Sequence, residues 1–390
     1  MPEAFIIEAV RTAGGRRGGK LAGWHPADLA GEVLNAIVDR TGIDPAAIDD
    51  VIMGCLTQSG EQANHIGRMA VLASKLPQTV PAVTIDRQCG SSQQAIQFAA
   101  QAVMSGTQDM VIAAGVESMS RVPMFSNFSL HTKGGIGTGP FSPQVQARFG
   151  VAEFSQFIGA EMMAEKYHLS RDELDRFALQ SHRRAAAAVN SGAFEREIVP
   201  VPVETPDGEG LHRVDEGIRF DASLEAIAAV RPLKDGGVIT AANASQICDG
   251  AAAVLVVNEA ALRRFDLVPL ARIVNLTITA GDPVIMLEEV IPATRRALAR
   301  AGMKIEDIDL YEVNEAFAPV PLAWLREIGA DPARLNVNGG GIALGHPLGA
   351  SGAKLMATLV HALRARGGRF GLQTMCEAGG LANVTIIERI

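Results

Sequence analysis

Two stretches of this chain, 260 residues apart, follow one plan. Thr41 to Val51 and Ala301 to Tyr311 each run from a helix end with glycine, through an acidic turn, to Ile-Asp entering a strand. The same offset sets Gly90-Ser91 on Ala350-Ser351. A repeat of this length makes the chain two related halves, with the turns at 90 and 350 in equivalent places. In each half, strand-like runs alternate with amphipathic helices, which predicts an α/β fold of mixed or parallel sheets with helices on both faces and right-handed crossovers. Two such sheets around a layer of uncharged helices give a five-layered αβαβα sandwich. Between Ser120 and Thr240 the composition shifts to a glycine-rich loop, Gly134 to Gly139, and then to long helices, one opened by the capping box Ser170-Arg171-Asp172-Glu173. This stretch is an insert.

Bulk properties set limits. The 390 residues are 48% hydrophobic and 20% charged, enough for two or three packed domains. Acids outnumber bases, 43 to 35, so no overall footprint for nucleic acid or anionic membrane exists, and a polyanionic ligand needs a local basic patch. Cys55, Cys89, Cys248 and Cys376 are too widely and irregularly spaced for a disulfide framework or a zinc motif. Reduced thiols in a cytoplasm are the simplest reading. Strand-like sequence begins at once, the C-terminal Glu388-Arg389-Ile390 is not a peroxisomal tripeptide, and no uncharged run is long enough to span a bilayer.

Cys89 is the first chemical candidate. The apolar run Ala82 to Ile85 leads through Asp86-Arg87-Gln88-Cys89-Gly90-Ser91-Ser92 into a helix-like stretch without charge as far as Gln101. A thiol just before a helix start meets unpaired N–H groups and the positive end of the helix dipole, which favour thiolate. A helix with only small, apolar and amide side chains is expected to be buried all round. A second uncharged turn, Gly339 to Gly352, carries His346 at its centre, and its glycines suggest backbone approaching a ligand. Cys376 lies in Thr374-Met375-Cys376-Glu377-Ala378-Gly379-Gly380, and Asn314 in Val313-Asn314-Glu315-Ala316-Phe317-Ala318.

Together these four segments resemble the signature segments of the thiolases, enzymes that make or break 3-ketoacyl-CoA thioesters by Claisen chemistry. The resemblance covers nearly the whole chain, from Ala4 to Thr385. It implies the five-layered sandwich with an inserted loop domain: residues 1–120 as the N-terminal half, completed by about 241–268; residues 121–240 as the loop domain covering the site and binding CoA; residues 269–390 as the C-terminal half. It also implies roles. Cys89 carries the acyl group, His346 takes its proton and points an N–H at the thioester oxygen, Cys376 is acid and base at the substrate C2, and Asn314 holds a water that stabilises the enolate with His346. Backbone N–H groups of Cys89 and Ala378 form the second oxyanion hole. Alanine stands at 378 where the family usually has glycine, at a cost of roughly 1 kcal/mol if the position needs a positive φ. For CoA the resemblance points to Arg219, Ser245, Ala316 and Phe317, with Arg183, Arg184, Arg213 and Arg231 as further basic candidates. CoA is a co-substrate, no cofactor is bound permanently, and the assembly is a homodimer or homotetramer.

Competing motifs fail on context. Gly339 to Gly345 imitates a dinucleotide turn without the acidic residue about 20 positions on. Gly14-Gly15-Arg16-Arg17-Gly18-Gly19-Lys20 imitates a P-loop, but Leu21 replaces Ser/Thr and the next helix starts only near Pro26. No metal motif is present. Ketoacyl synthases typically place histidine or asparagine where Cys376 stands, and a non-catalytic lipid carrier would lack Cys89, Cys376 or His346. Met124 to Phe157 lacks the stretches associated with acetoacetyl-CoA enzymes, which points to a degradative thiolase, including those acting on steroid side chains.

Overall fold

The computed structural model describes residues 2–205 and 208–390. The N-terminal half comprises β1 (Phe5–Thr12), α1 (Pro26–Thr41), β2 (Asp50–Gly54), α2 (Ile66–Ala73), β3 (Ala82–Ile85), α3 (Ser91–Ser105) and β4 (Met110–Ser118). The insert holds α4 (Ser126–Gly134), α5 (Pro143–Phe149), α6 (Gln156–Lys166) and α7 (Arg171–Asn190). Beyond it come β5 (Cys248–Val257), β6 (Ala271–Ala280), α8 (Val290–Ala301), β7 (Leu310–Val313), α9 (Pro319–Ile328), α10 (Gly341–Leu344), α11 (Ser351–Arg366), β8 (Phe370–Glu377) and β9 (Leu381–Arg389). Local chemistry sets several ends. Pro26 opens α1, and Gly42 closes it at φ 66°. At the equivalent place Gly302 closes α8 at φ 65°. The capping box at Ser170 and Glu173 forms at the start of α7.

The strand order is β7-β8-β9-β6-β1-β5-β4-β2-β3. In each half a parallel pair (β2 with β4, β7 with β8) is followed by an antiparallel one (β4 with β5, β8 with β9). The two half-sheets are not separate as the sandwich description suggests. They join through a short antiparallel contact in which Phe5 faces Arg272 and Ile6 faces Ala271.

Apolar contacts give the layers. α1 and α2 pack on one face of the N-terminal sheet through Leu34, Ile37 and Val71. α3 and α11 share an apolar cluster with strands of both half-sheets, through Ile96, Val103, Met356 and Val360. α8 and α9 cover the far face of the C-terminal sheet through Ala297, Val320 and Trp324. The order is therefore helix, sheet, helix, sheet, helix. One expectation fails here: α3 is not buried all round, since Phe98 is 38% exposed and Gln101 is exposed. Its lack of charge reflects the first two turns, where Ser91 to Gln97 are all buried.

Candidate active site

β3 ends at Ile85 and α3 begins at Ser91, so Cys89 sits in the intervening turn, one residue before the N-cap Gly90. Gln88 takes a positive φ of 50°, unusual for a residue with a side chain. Two side chains hold the turn: Asp86 Oδ1 accepts the Gln88 N–H at 2.6 Å, and Ser91 Oγ accepts the Arg87 N–H at 2.9 Å while donating to Gln88 O at 2.6 Å. Cys89 is 4% exposed. Burial lifts its thiol well above the ordinary range, and Cys376 and the carboxyls of Glu377, Glu117 and Asp86 add to the rise. Desolvation therefore outweighs the helix terminus, and the resting group is a thiol rather than the thiolate the turn alone suggests.

His346 lies between α10 and α11, its N–H donating to Gln246 O at 3.0 Å. Its Nδ1 is 2.5 Å from Ser351 Oγ, and that hydroxyl donates its single hydrogen to Pro347 O at 2.9 Å. Nδ1 must then carry the ring proton. Nε2 is left as an acceptor, and it is buried with no hydrogen-bond partner among the described residues. Burial, with Lys354 second, pulls the imidazole down to about 3, so the ring is neutral. A buried thiol and a neutral imidazole with a free lone pair are what a proton transfer needs before attack.

Cys376 is the next-to-last residue of strand β8, and Asn314 Nδ2 approaches its Sγ at 3.9 Å. Burial raises this thiol to about 12, opposed by Asn314 and by the backbone N–H groups of Cys376 and Ala316. Ala378 does not have a positive φ; the left-handed residues are Gly379 and Gly380, at 84° and 75°. Alanine at 378 therefore carries no backbone strain.

Two neighbouring spaces meet here. One, of about 560 Å³, is lined by Cys89, Gln88, Leu56, Ala378 and Gly379, and by Met124, Phe125, Phe128, Phe141, Phe154 and Phe157 of the insert. The other, of about 460 Å³, is lined by His346, Ser245, Phe317, Arg219, Arg16 and Arg17. Met124, Gln156, Phe157 and Leu348 belong to both walls. Ala316 lines neither, although its N–H faces Cys376. Arg183, Arg213 and Arg231 are absent from the second wall, and Arg184 is committed to the carbonyls of Leu335 and Pro332. Cys55 and Cys248 are buried and line neither space.

The carboxylates behind the two turns are not among the candidates read from the sequence. Glu315 accepts from Ser181 Oγ, Asn336 Nδ2 and the Ile342 N–H. Asp215 pairs with buried Arg11 and with Lys354, whose ammonium also donates to Leu344 O at 2.5 Å. Glu117 accepts from the N–H groups of Leu56, Thr57 and Gly349 and from Gln62. All three brace the His346 turn. An acid at the end of an otherwise apolar strand, as at Val116-Glu117-Ser118, was the available signal. The glycines also need a different explanation from ligand approach. A Cβ at Gly339 would meet Ser181 O at 2.7 Å, at Gly345 Cys248 Sγ at 2.6 Å, and at Gly349 Cys55 Cα at 2.6 Å. They let this turn pack against its own protein.

Among the described residues no cluster of three or more His, Cys, Asp or Glu could hold a metal ion, and no helix is long and apolar enough to cross a membrane.

Comparison with known proteins follows the same lines. The thiolase N-terminal domain matches residues 4–260, and the thiolase C-terminal domain residues 267–389. The chain is 55% identical to the steroid 3-ketoacyl-CoA thiolase FadA6 of Mycobacterium tuberculosis, over 100% of this chain and 95% of that protein. It is 42% identical to a beta-ketoadipyl-CoA thiolase of Escherichia coli, over 100% of both. The crystal structure of human mitochondrial 3-ketoacyl-CoA thiolase superposes with a TM-score of 0.89 at 37% identity, covering 100% of this chain and 99% of that one. With both domains matched in order and the four motif segments gathered at one site, this chain belongs to the thiolase family.

Proposed function

We propose that this enzyme cleaves 3-ketoacyl-CoA with CoA, giving acetyl-CoA and a shortened acyl-CoA through an acyl-Cys89 intermediate. The observation that carries the reading is the junction of two spaces, one reaching Cys89 and the other His346, with four shared wall residues. The acyl group fills the apolar space and CoA the cleft. Residues 1–120 with about 241–268, and 269–390, act as the two halves that bring the catalytic groups together, and residues 121–240 cover them. Four free, buried cysteines support a cytoplasmic setting. The working assembly is taken as a homodimer or homotetramer, which light scattering tests.

In the forward reaction Cys89 Sγ attacks the C3 ketone and its proton passes to His346 Nε2. The oxyanion at C3 is held by the N–H groups of Cys89 and Ala378. The C2–C3 bond then breaks, and its electrons form the enolate of acetyl-CoA, whose oxygen faces His346 and a water on Asn314. Cys376 donates its proton to C2, a role that suits a thiol held protonated at about 12. The resulting Cys376 thiolate takes the proton of incoming CoA, the CoA sulfur attacks the acyl group, and departing Cys89 recovers its proton from His346. Arg219, Ser245 and Phe317 line the path for CoA, and Ala316 acts through its N–H on Cys376.

The size and lining of the acyl space favour a degradative enzyme over an acetoacetyl-CoA one. At about 560 Å³, with five phenylalanines from the insert, it exceeds what a two-carbon unit fills. Edge-to-face contacts tie that roof together: Phe128 on Phe141 at 6.2 Å, and Phe141 on Phe154 at 5.6 Å. The 55% identity to a protein named for steroid 3-ketoacyl-CoA supports ring-bearing acyl groups. CoA-dependent cleavage of a graded series from acetoacetyl-CoA to long, branched and alicyclic 3-ketoacyl-CoA is the test. The bulky members should lead in kcat/KM by about tenfold or more. Acetoacetyl-CoA as the best substrate would sink the degradative assignment in favour of a biosynthetic acetyl-CoA acetyltransferase.

A further inference from the structure

The glycine-rich turn that imitates a P-loop has a place in the structure that the catalytic cycle does not explain. Arg16 and Arg17 lie on the wall of the cleft of about 460 Å³ that also carries His346 and Ser245, and Arg219 lies on the same wall. Three guanidinium groups in one wall oppose each other electrostatically, and Glu216 is the only carboxylate among its lining residues. That carboxylate is largely committed elsewhere. Its Oε2 accepts the N–H of Arg16 at 3.1 Å and of Lys20 at 2.9 Å, and it reaches Arg16 Nε only at 3.8 Å, on a side chain that is 71% exposed. Such a pair contributes little. Arg17 and Arg219 have no ion pair among the described residues.

The turn itself is firmly held. Besides the two bonds to Glu216, the Gly19 N–H donates to Arg16 O at 2.7 Å and the Gly18 N–H to Ser120 Oγ at 2.8 Å. A side chain at Gly19 would collide with Glu216. Glu216 thus shapes the turn mainly through its backbone and pairs with Arg16 only loosely, on a protein whose net charge is −8.

We propose that the Arg16–Lys20 turn is a phosphate clamp for the nucleotide end of CoA, in which Arg17 and Arg16 bind phosphate oxygens together with Arg219 of the same wall. It differs from a P-loop in that the side chains, not the backbone amides, meet the phosphate, so no Ser/Thr or adjoining helix is needed. Guanidinium groups suit this because their planar fork matches two phosphate oxygens at once. The proposal rests on the reading that CoA occupies this cleft. CoA offers two phosphate classes, the pyrophosphate diester and the 3′-phosphomonoester, and the experiment separates them.

Calorimetric titration of the full-length protein with CoA, dephospho-CoA and pantetheine, for wild type, Arg17→Ala, Arg17→Lys and Arg16→Ala/Arg17→Ala, tests the clamp without relying on turnover. In wild type, CoA should bind more tightly than pantetheine. Arg17→Ala should cut that preference roughly tenfold and the double variant further, with Arg17→Lys between wild type and Arg17→Ala. If the loss seen with CoA disappears with dephospho-CoA, the clamp holds the 3′-phosphate; if it persists there, it holds the pyrophosphate. An unchanged preference in the double variant, or an equal loss of pantetheine binding, would overturn the clamp. Failure of the functional reading is distinct: wild type would then cleave no 3-ketoacyl-CoA, whatever the titrations give.

Discussion

In the N-terminal half, Asp49 Oδ2 accepts the N–H groups of Asp109 and Met110 at 2.7 and 3.0 Å; 260 residues on, Asp309 Oδ2 accepts those of Arg369 and Phe370 at 2.7 and 2.8 Å. Down to single hydrogen bonds the halves are one design. They part company at the next equivalent carboxyl. Glu117 accepts four donors, among them the Gly349 N–H at 2.9 Å. Its counterpart by the same offset is Glu377, and the counterpart of Gly349 is Cys89. Glu377 is fully buried against Gly90, and neither of its oxygens has a hydrogen-bond partner among the described residues. Burial pushes its carboxyl well above the usual range, with Arg87 opposing. One copy of the turn is therefore locked by an acid that takes up its amide. In the other, the equivalent acid does not engage the Cys89 N–H, which leaves that amide to oxygen chemistry. The scaffold occurs twice, and the copy that carries Cys89 is the one whose acid takes up no amide, while His346 sits on the copy that is locked.

The largest effect that could break this comparison is at Cys89. Cys89→Ser should lose stable acylation and turnover together, by roughly 10⁴-fold or more, since an alcohol is a poor substitute for a thiol beside a neutral imidazole. Cys376→Ala separates the two duties. It should still gain an acetyl group on Cys89 from acetyl-CoA, visible by intact mass, while thiolysis falls roughly 10²- to 10⁴-fold. Claisen activity near wild type in Cys376→Ala would remove that residue from the mechanism.

Next in size is the contrast between the paired acids. Glu117→Gln turns an amide NH₂ toward buried backbone donors, and should destabilise the fold by about 2–4 kcal/mol in denaturant titration. Glu377→Gln replaces an acid that already holds its proton and should change stability by less than about 1 kcal/mol. Equal losses in the two variants would mean that the halves are braced alike, and the asymmetry drawn from the hydrogen bonds would be wrong.

How much of this was legible in the sequence follows from the range of the interactions. The repeat, the strand-turn-helix at Cys89, the capping box at Ser170 and the four motif segments are local patterns, and each formed where the residues put it. The carboxylates behind the site were not legible, because their partners lie far away in the chain: Asp215 is 204 residues from Arg11 and 139 from Lys354. The purpose of the glycines was misread for the same reason. Close approach was correctly inferred, but whether ligand or protein approaches is a tertiary fact. At Cys89 the helix terminus was visible, whereas the burial that overrides it, and the added electrostatic rise from Cys376 and Glu377 of the other half, depend on tertiary packing.

That last point yields the smallest of the expected effects. A thiolate–imidazolium pair in the free enzyme would give iodoacetamide reactivity with a plateau between about pH 5 and 7. Here the imidazole is neutral, drawn down to about 3 by burial, and the thiol is lifted, so neither half of that pair is charged at neutral pH. Alkylation of Cys89 should instead climb by about tenfold per pH unit from 6 to 8, following the thiolate fraction of a raised thiol. It should still outrun Cys55 and Cys248, because Cys89 alone of the three lines an open space. Saturating acyl-CoA should protect it. Peptide mapping with Cys55 or Cys248 labelled first would undo the nucleophile assignment. A flat profile across pH 6 to 8 with Cys89 labelled first would mean that the helix terminus, rather than desolvation, decides the charge of the resting thiol.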